Sequence, residues 1–259
     1  MVNKSLNLSS MFNTKRIFHL SKMELFTNWR IYLLTNIIVG TLFICFSVFT
    51  GLFMGSSDPK GFLFLNLIIG IIFTSTIFID IHTQDKSMQY FLIPTSIEEK
   101  FLVKFLFTGI LYFIISIITI LLASLISEFF RFVLFHAPFN IFNPIKAEVL
   151  TYFGIYIFFH SIFLLGSIIF RNNNFFKTFF FFILIFIVFF FVITILVVSI
   201  ISNIYNTHQG IVQNFYKIFE FINSNSDTLS IAIKTILMIL IPVVLYFLSY
   251  FKLKQFQIK

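Results

Sequence analysis

The sequence predicts an all-α integral membrane protein with six transmembrane helices. Hydrophobic residues make up 59% of the 259 residues and charged residues only 11%, too few charges to cover a soluble domain of this size. The apolar residues also occur in long runs, and about 20 residues in an α-helix cross a bilayer core about 30 Å thick. Barrel strands are about 10 residues long and alternate, so these runs favour helices.

Six runs have the required length. They cover residues 31–54, 61–79, 105–127, 149–170, 178–202 and 229–251. The last run is the weakest because Lys234 interrupts it, although this lysine is close enough to the end to snorkel to the headgroups. Together the runs predict one transmembrane domain over residues 1–259, without a separate soluble domain.

The distribution of basic residues predicts that both termini are cytoplasmic. With this orientation, more than two thirds of the 18 Lys and Arg residues fall in cytoplasmic segments, as the positive-inside rule requires. The net charge of +8 then indicates topology and attraction to anionic lipid. Nucleic-acid binding is not expected, since no basic surface lies in a soluble domain.

The segment before the first run is predicted to be an interfacial helix within residues 1–30. Wound as a helix, Met11, Phe18, Leu25 and Trp29 fall on one stripe. This pattern is typical of a helix that lies in the cytoplasmic interface and then turns into the first span. A disordered basic leader is the alternative.

Three connections between the runs carry structural signals. Residues 128–148 predict an external loop broken by Pro138 and Pro144. Residues 211–222 have apolar side chains at helical spacing, which predicts a short helix on the outer leaflet. The short link at residues 171–177 predicts that the fourth and fifth spans are antiparallel neighbours.

The connection between the second and third runs predicts a defined helix start. Pro94 ends any preceding helix because it lacks an N–H and restricts the residue before it. Thr95 and Ser96 each stand three residues before a glutamate, Glu98 and Glu99, which gives two overlapping capping boxes. The third span is therefore predicted to begin at this point.

Before this start there is room for about two turns of a cytoplasmic amphipathic helix, which by its shape is a candidate docking element. Met88, Tyr90 and Phe91 offer apolar anchors there. An ordinary solvated loop is the alternative. The candidate docking residues are Gln84, Asp85, Lys86, Ser87, Met88, Gln89 and Tyr90.

Motifs for catalysis are missing from the sequence. It contains no GxxxxGK[ST], GxSxG or HExxH, and no aspartate-rich cluster for a metal–diphosphate site. Asp80, His82 and Asp85 could be drawn as a metal site, but solvated polar residues at a membrane edge are favoured. His160, near the middle of the fourth span, is favoured as an imidazole hydrogen-bonded to a neighbouring helix over a functional group. No catalytic residue, metal or cofactor is therefore predicted.

The run FTSTIFIDIHTQDKSMQYFLIPTSIEEKFLVKFL, at residues 73–106, carries a family resemblance. It has a small-residue and Phe-containing end of a span, then an acidic residue and a polar stretch. The tetrapeptide Ile93-Pro94-Thr95-Ser96 and the pair Glu99-Lys100 follow. Together with the order of helices, this run resembles the permease subunits of type-2 ABC exporters, with Ile93 in place of the usual leucine.

The resemblance implies a function. A permease of this family binds no ATP, is not itself an enzyme, and pairs with a separate ABC ATPase subunit in the bacterial cytoplasmic (inner) membrane. Two permeases, as a homodimer or a pair, form the path by which a substrate moves outward. Residues 84–90 would be the coupling helix that enters a cleft of the ATPase. The substrate is not indicated.

Two other classes remain open. The first is a membrane-embedded interaction protein, such as an immunity or assembly factor, whose cytoplasmic segment docks another partner. The second, an intramembrane enzyme, needs paired polar groups at depth, which the runs do not offer. A neighbouring gene for a P-loop ATPase would favour the exporter.

Overall fold

The computed structural model describes residues 13–53, 60–136, 141–206 and 236–257, and every regular element within these ranges is helical. Within these ranges six helices are long and apolar enough to cross a membrane, as the prediction of an all-α protein with six spans requires. The predicted outer helix at residues 211–222, the beginning of the sixth run and both chain ends lie outside the described residues.

Eight α-helices form the described part of the chain. They are α1 (Thr14–Phe53), α2 (Lys60–Thr76), α3 (Gln84–Leu92), α4 (Ile97–Phe105), α5 (Tyr112–Phe135), α6 (Ala147–Ile169), α7 (Asn174–Asn206) and α8 (Ile241–Gln257). A 3₁₀ turn, Ile79–His82, precedes α3. Two π-helical turns, Leu106–Leu111 and Ile236–Leu240, lead into α5 and α8.

The first helix differs from the prediction. The sequence predicted an interfacial helix up to residue 30 and a turn into the span, but α1 is one uninterrupted helix of 40 residues. At 1.5 Å per residue it is about 60 Å long, roughly twice the thickness of a bilayer core. Its first half is held by tertiary contacts with α4, which the stripe of apolar residues could not reveal.

The third span is also longer than predicted. It continues to Phe135, so the predicted external loop from residue 128 begins about two turns later. Glu128 and Arg131, which the sequence assigned to the loop because they are charged, form a buried ion pair at 2.6 Å within the helix. His136 ends the helix with a left-handed conformation, φ 51°.

The helix directions follow from long-range contacts. Side-chain pairs join α1 to α4 and α5, and the residue numbers of both partners increase together from one pair to the next. These helices therefore run parallel. The pairs are Arg16–Glu99, Glu24–Lys104 and Asn36–Thr119. This parallel arrangement is expected, because the second span crosses back between the first and the third.

The remaining spans pack around α6. It contacts α2, α7 and α8, and it buries Tyr156, Phe163, Leu164 and Ile168 among them. A methyl group on Gly166 of α6 would overlap the side chain of Thr178 on α7, so the two helices approach closely. The prediction that the fourth and fifth spans are neighbours is therefore confirmed.

Beyond Thr178, no described side chain of α7 is buried. The helix is nevertheless the most apolar of the six spans. A helix that exposes apolar side chains all round is stable only in an apolar solvent. Its exposure therefore indicates contact with lipid.

Both ends of the described chain meet at one end of the bundle. The start of α1 contacts Glu99 at the start of α4, and Tyr250 near the end of α8 donates a hydrogen bond to Glu98 at 2.7 Å. This end also carries α3, and we call it the α3 face. That the α3 face is cytoplasmic stays a prediction from the basic residues.

Candidate functional site

The helix α3 is amphipathic, and one of its sides is exposed. Asp85, Met88 and Leu92 lie at positions i, i+3 and i+7, which share one face of a helix. Met88 is 68% exposed and Leu92 is 78% exposed, and Asp85 and Gln89 beside them are exposed as well. Two large apolar side chains with polar neighbours make this face suitable for a protein partner.

The opposite side of α3 is fixed to the bundle. The Lys100 ammonium group on α4 donates a hydrogen bond to the Tyr90 carbonyl oxygen at 2.8 Å and lies 5.2 Å from the Tyr90 ring centroid. Lys86 forms an ion pair with Asp80 at 3.3 Å. A force applied to α3 is therefore transmitted to α4 and to the 3₁₀ turn that follows α2.

The structure changes which residues of the predicted docking segment face outward. Tyr90 and Phe91, predicted as anchors, turn inward, and Ser87 is half-buried. Leu92 was not among the candidates, although its spacing of four from Met88 was a signal for it. The side chain of Gln84 lies outside the described residues. The outward candidates that remain are Asp85, Met88 and Gln89, whereas Lys86 is exposed but is paired with Asp80.

One of the two predicted capping boxes forms at the start of α4. The Ser96 hydroxyl accepts from the Glu99 backbone N–H at 3.2 Å, and the Glu99 carboxylate accepts from the Ser96 N–H at 3.0 Å. The Thr95 hydroxyl is buried without a hydrogen-bond partner. Glu98, the partner predicted for Thr95, accepts from Tyr250 instead.

The cap supports a prediction on stability. We expect Ser96→Ala to lower the free energy of unfolding by about 1 kcal/mol, because it removes a helix N-cap that no neighbouring side chain replaces. Thr95→Ala is the matched control and should change stability less, since it removes a hydroxyl without a partner. Thermal unfolding of both variants in detergent measures the difference. Equal losses would contradict the assignment of the cap.

Glu99 also ties α4 to the start of α1. One carboxylate oxygen accepts from the Asn13 backbone N–H at 2.8 Å and lies 3.3 Å from the Arg16 guanidinium. One turn further along, Lys104 pairs with Glu24 of α1 at 2.8 Å, and Asn28 donates to the same carboxylate. These buried charges connect α1 and α4 on the side that supports α3.

Two of the three polar residues considered as metal ligands have other partners. The His82 Nε2 atom lies 2.9 Å from the Ser167 carbonyl oxygen, and Asp80 is paired with Lys86. Asp85 lies on the exposed side of α3. Within the part of the chain that the structure describes, no group of three or more His, Cys, Asp or Glu side chains is placed to bind a metal ion.

His160 is hydrogen-bonded at both ring nitrogens. Its Nε2 atom lies 2.8 Å from the Thr108 hydroxyl and its Nδ1 atom lies 2.8 Å from the Tyr246 hydroxyl. The predicted hydrogen bonding to neighbouring helices is thus confirmed. Thr108 belongs to the π-helical turn between α4 and α5, and Tyr246 to α8, so the imidazole links three spans at the centre of the bundle.

An aromatic series extends this link to the other helices. Successive ring centroids lie within 6 Å of each other along Tyr32, Phe73, Tyr112, Tyr156 and His160. The series runs from α1 through α2, α5 and α6. Movement of α1 or α5 would therefore disturb contacts at the centre of the bundle.

These features define the class of the protein as a multi-pass, all-helical membrane protein with one exposed amphipathic helix at the α3 face. Comparison with protein-family models, with curated proteins and with solved structures finds no match to this chain.

Proposed function

We propose that this chain is the permease subunit of a type-2 ABC exporter in the bacterial cytoplasmic membrane. It acts as a homodimer or as one of two paired permeases, and it moves a substrate outward with energy from a separate ATPase subunit. The helix α3 is the element that docks on that ATPase.

The observation that carries the proposal is the two-sided character of α3. Its outer side presents Met88 and Leu92 to the space beyond the bundle. It is also bonded to α4 through Lys100 and to the 3₁₀ turn after α2 through the pair of Lys86 with Asp80. A helix with these two sides suits the transfer of movement from a partner to membrane-crossing helices.

The route of that movement is supported by the buried charges behind α3. Lys100 and Lys104 are one turn apart on α4, and Lys104 is paired with Glu24 of α1. A displacement of α3 therefore acts on α4 and α1 together, which are parallel and continue across the membrane. The sequence has no nucleotide-binding motif of its own, so a partner must supply the energy.

Purification with an ATPase tests the proposal. We expect a neighbouring gene to encode a P-loop ATPase, and the tagged full chain, expressed with that ATPase, to be recovered from membranes with it in near-equal amounts. The complex should hydrolyse ATP, and replacing the P-loop lysine of the ATPase should abolish the activity but not the complex. Recovery of the chain alone, or with a partner that hydrolyses no nucleotide, would contradict the exporter and favour the interaction protein.

A further inference from the structure

A cleft lies between α1, α3 and α4 at the α3 face. Its volume is about 460 Å³, within the range of pockets that hold small molecules. Apolar side chains of α1 and α4, among them Leu20, Met23 and Val103, form part of its lining, and charged side chains form another part. The cleft is therefore amphipathic and lies where α4 begins its path across the membrane.

The charges that line the cleft do not balance. Two carboxylates are present, and each has its own ammonium partner: Glu24 is paired with Lys104, and Asp80 with Lys86. Lys100 is a third cation in the same cleft. Among the described residues, no carboxylate lies within ion-pair distance of it. One positive charge is left without a negative partner.

Lys100 is also buried. The residue is only 2% exposed, and its ammonium group donates to the Tyr90 carbonyl oxygen at 2.8 Å. Two of its three N–H donors remain for another acceptor. Burying a charge without a counter-ion is unfavourable, so a site of this kind favours an anion.

A second donor in the cleft lacks an acceptor. The Tyr90 hydroxyl is buried and has no hydrogen-bond partner. Burial, together with the nearby carboxylates of Glu24 and Asp80, raises the pKa of Tyr90 well above its usual value, so the hydroxyl keeps its proton. Buried donors are almost always paired in native proteins. Lys100 and Tyr90 therefore offer hydrogen bonds to a group that accepts them and carries negative charge.

We propose that this cleft binds the phosphate group of an anionic phospholipid, with Lys100 and Tyr90 as donors to the phosphate oxygens. A phosphodiester carries one negative charge, which equals the single uncompensated positive charge of the cleft. The apolar lining suits the glycerol and the beginning of the acyl chains, whereas a free phosphate ion has no apolar part. The bound lipid would hold α3 against α1 and α4, a role that does not depend on an ATPase partner.

Lipid binding by the purified chain tests this site. The full chain is delipidated in a neutral detergent, and phosphatidylglycerol, phosphatidylcholine or inorganic phosphate is added at equal concentration. We expect only phosphatidylglycerol to be retained in native mass spectra and to raise the midpoint of thermal unfolding. Equal stabilisation by inorganic phosphate would identify a free-phosphate site and overturn the lipid assignment, as would equal retention of phosphatidylcholine.

Substitutions locate the binding in the cleft. We expect Lys100→Gln to weaken phosphatidylglycerol binding about tenfold or more, because it removes a charge-assisted hydrogen bond, and Lys100→Arg to retain most of it. Tyr90→Phe keeps the ring and its packing and should weaken binding about fivefold. Lys252→Gln, at an exposed lysine of α8, is the control without effect. Wild-type binding by both Lys100→Gln and Tyr90→Phe would overturn the proposal.

Discussion

Met88→Asp combined with Leu92→Asp is expected to abolish recovery of the ATPase with the chain and to leave the chain itself in the membrane. These are the two large apolar side chains that α3 exposes. An apolar anchor at the centre of an interface contributes about 2 kcal/mol, so the loss of two weakens the complex about a thousandfold. Because both side chains point away from the bundle, its packing is not affected. Co-purification and ATP hydrolysis measure the result.

A matched control separates docking from a general effect of added charge. Ile145 is 90% exposed and lies in the link between α5 and α6, at the other end of the long helix that begins with α4. Ile145→Asp adds one negative charge, half of what the α3 variant adds, on an exposed apolar residue, and we expect the complex to form normally. If the doubly substituted α3 still binds the ATPase in full, α3 is not the docking element and the start of α1 becomes the next candidate.

Glu24→Leu is expected to destabilise the chain by about 3 kcal/mol, because it leaves the buried Lys104 ammonium group without its partner. The pair is separated by 2.8 Å, and both side chains are at most 10% exposed. Removing one member of a buried ion pair leaves the other charge buried without a partner, which costs more free energy than the pair itself contributes. The fraction of monodisperse protein that remains after heating in detergent measures the loss.

The double variant Glu24→Leu with Lys104→Leu should recover most of that stability. Two apolar side chains then replace two charges, a change that is often neutral for buried ion pairs. Asp85→Leu, at an exposed carboxylate of α3, removes one negative charge at the surface and serves as the control. A double variant that is less stable than Glu24→Leu would show that the pair supports the fold in another way.

Local patterns in the sequence were sufficient for the number of spans. Five of the six predicted spans are uninterrupted apolar runs, and the bilayer fixes how long such a run must be. The start of α4 was also readable, because proline, hydroxyl and carboxylate groups within six residues form a complete signal for a helix start. The position of α3 between two spans followed from the same local reading.

The sequence alone did not determine which side of α3 faces outward. Tyr90 and Phe91 are large side chains that suit an interface as well as Met88 and Leu92 do, and only contacts with Lys100 and the bundle turn them inward. The choice of Ser96 over Thr95 as the cap was equally open, because both stand three residues before a glutamate. Such choices depend on which surface meets a neighbouring helix.

By itself, the sequence determined an all-helical membrane protein with six spans and a short helix between the second and third, because helix length and capping are local properties. Tertiary structure alone decided that α1 is continuous, that Glu24 pairs with Lys104, and that Lys100 is buried without a carboxylate partner. Glu24 and Lys104 are 80 residues apart in the sequence. The free energy of a buried charge depends on what surrounds it in space, and no pattern within one helix specifies those surroundings.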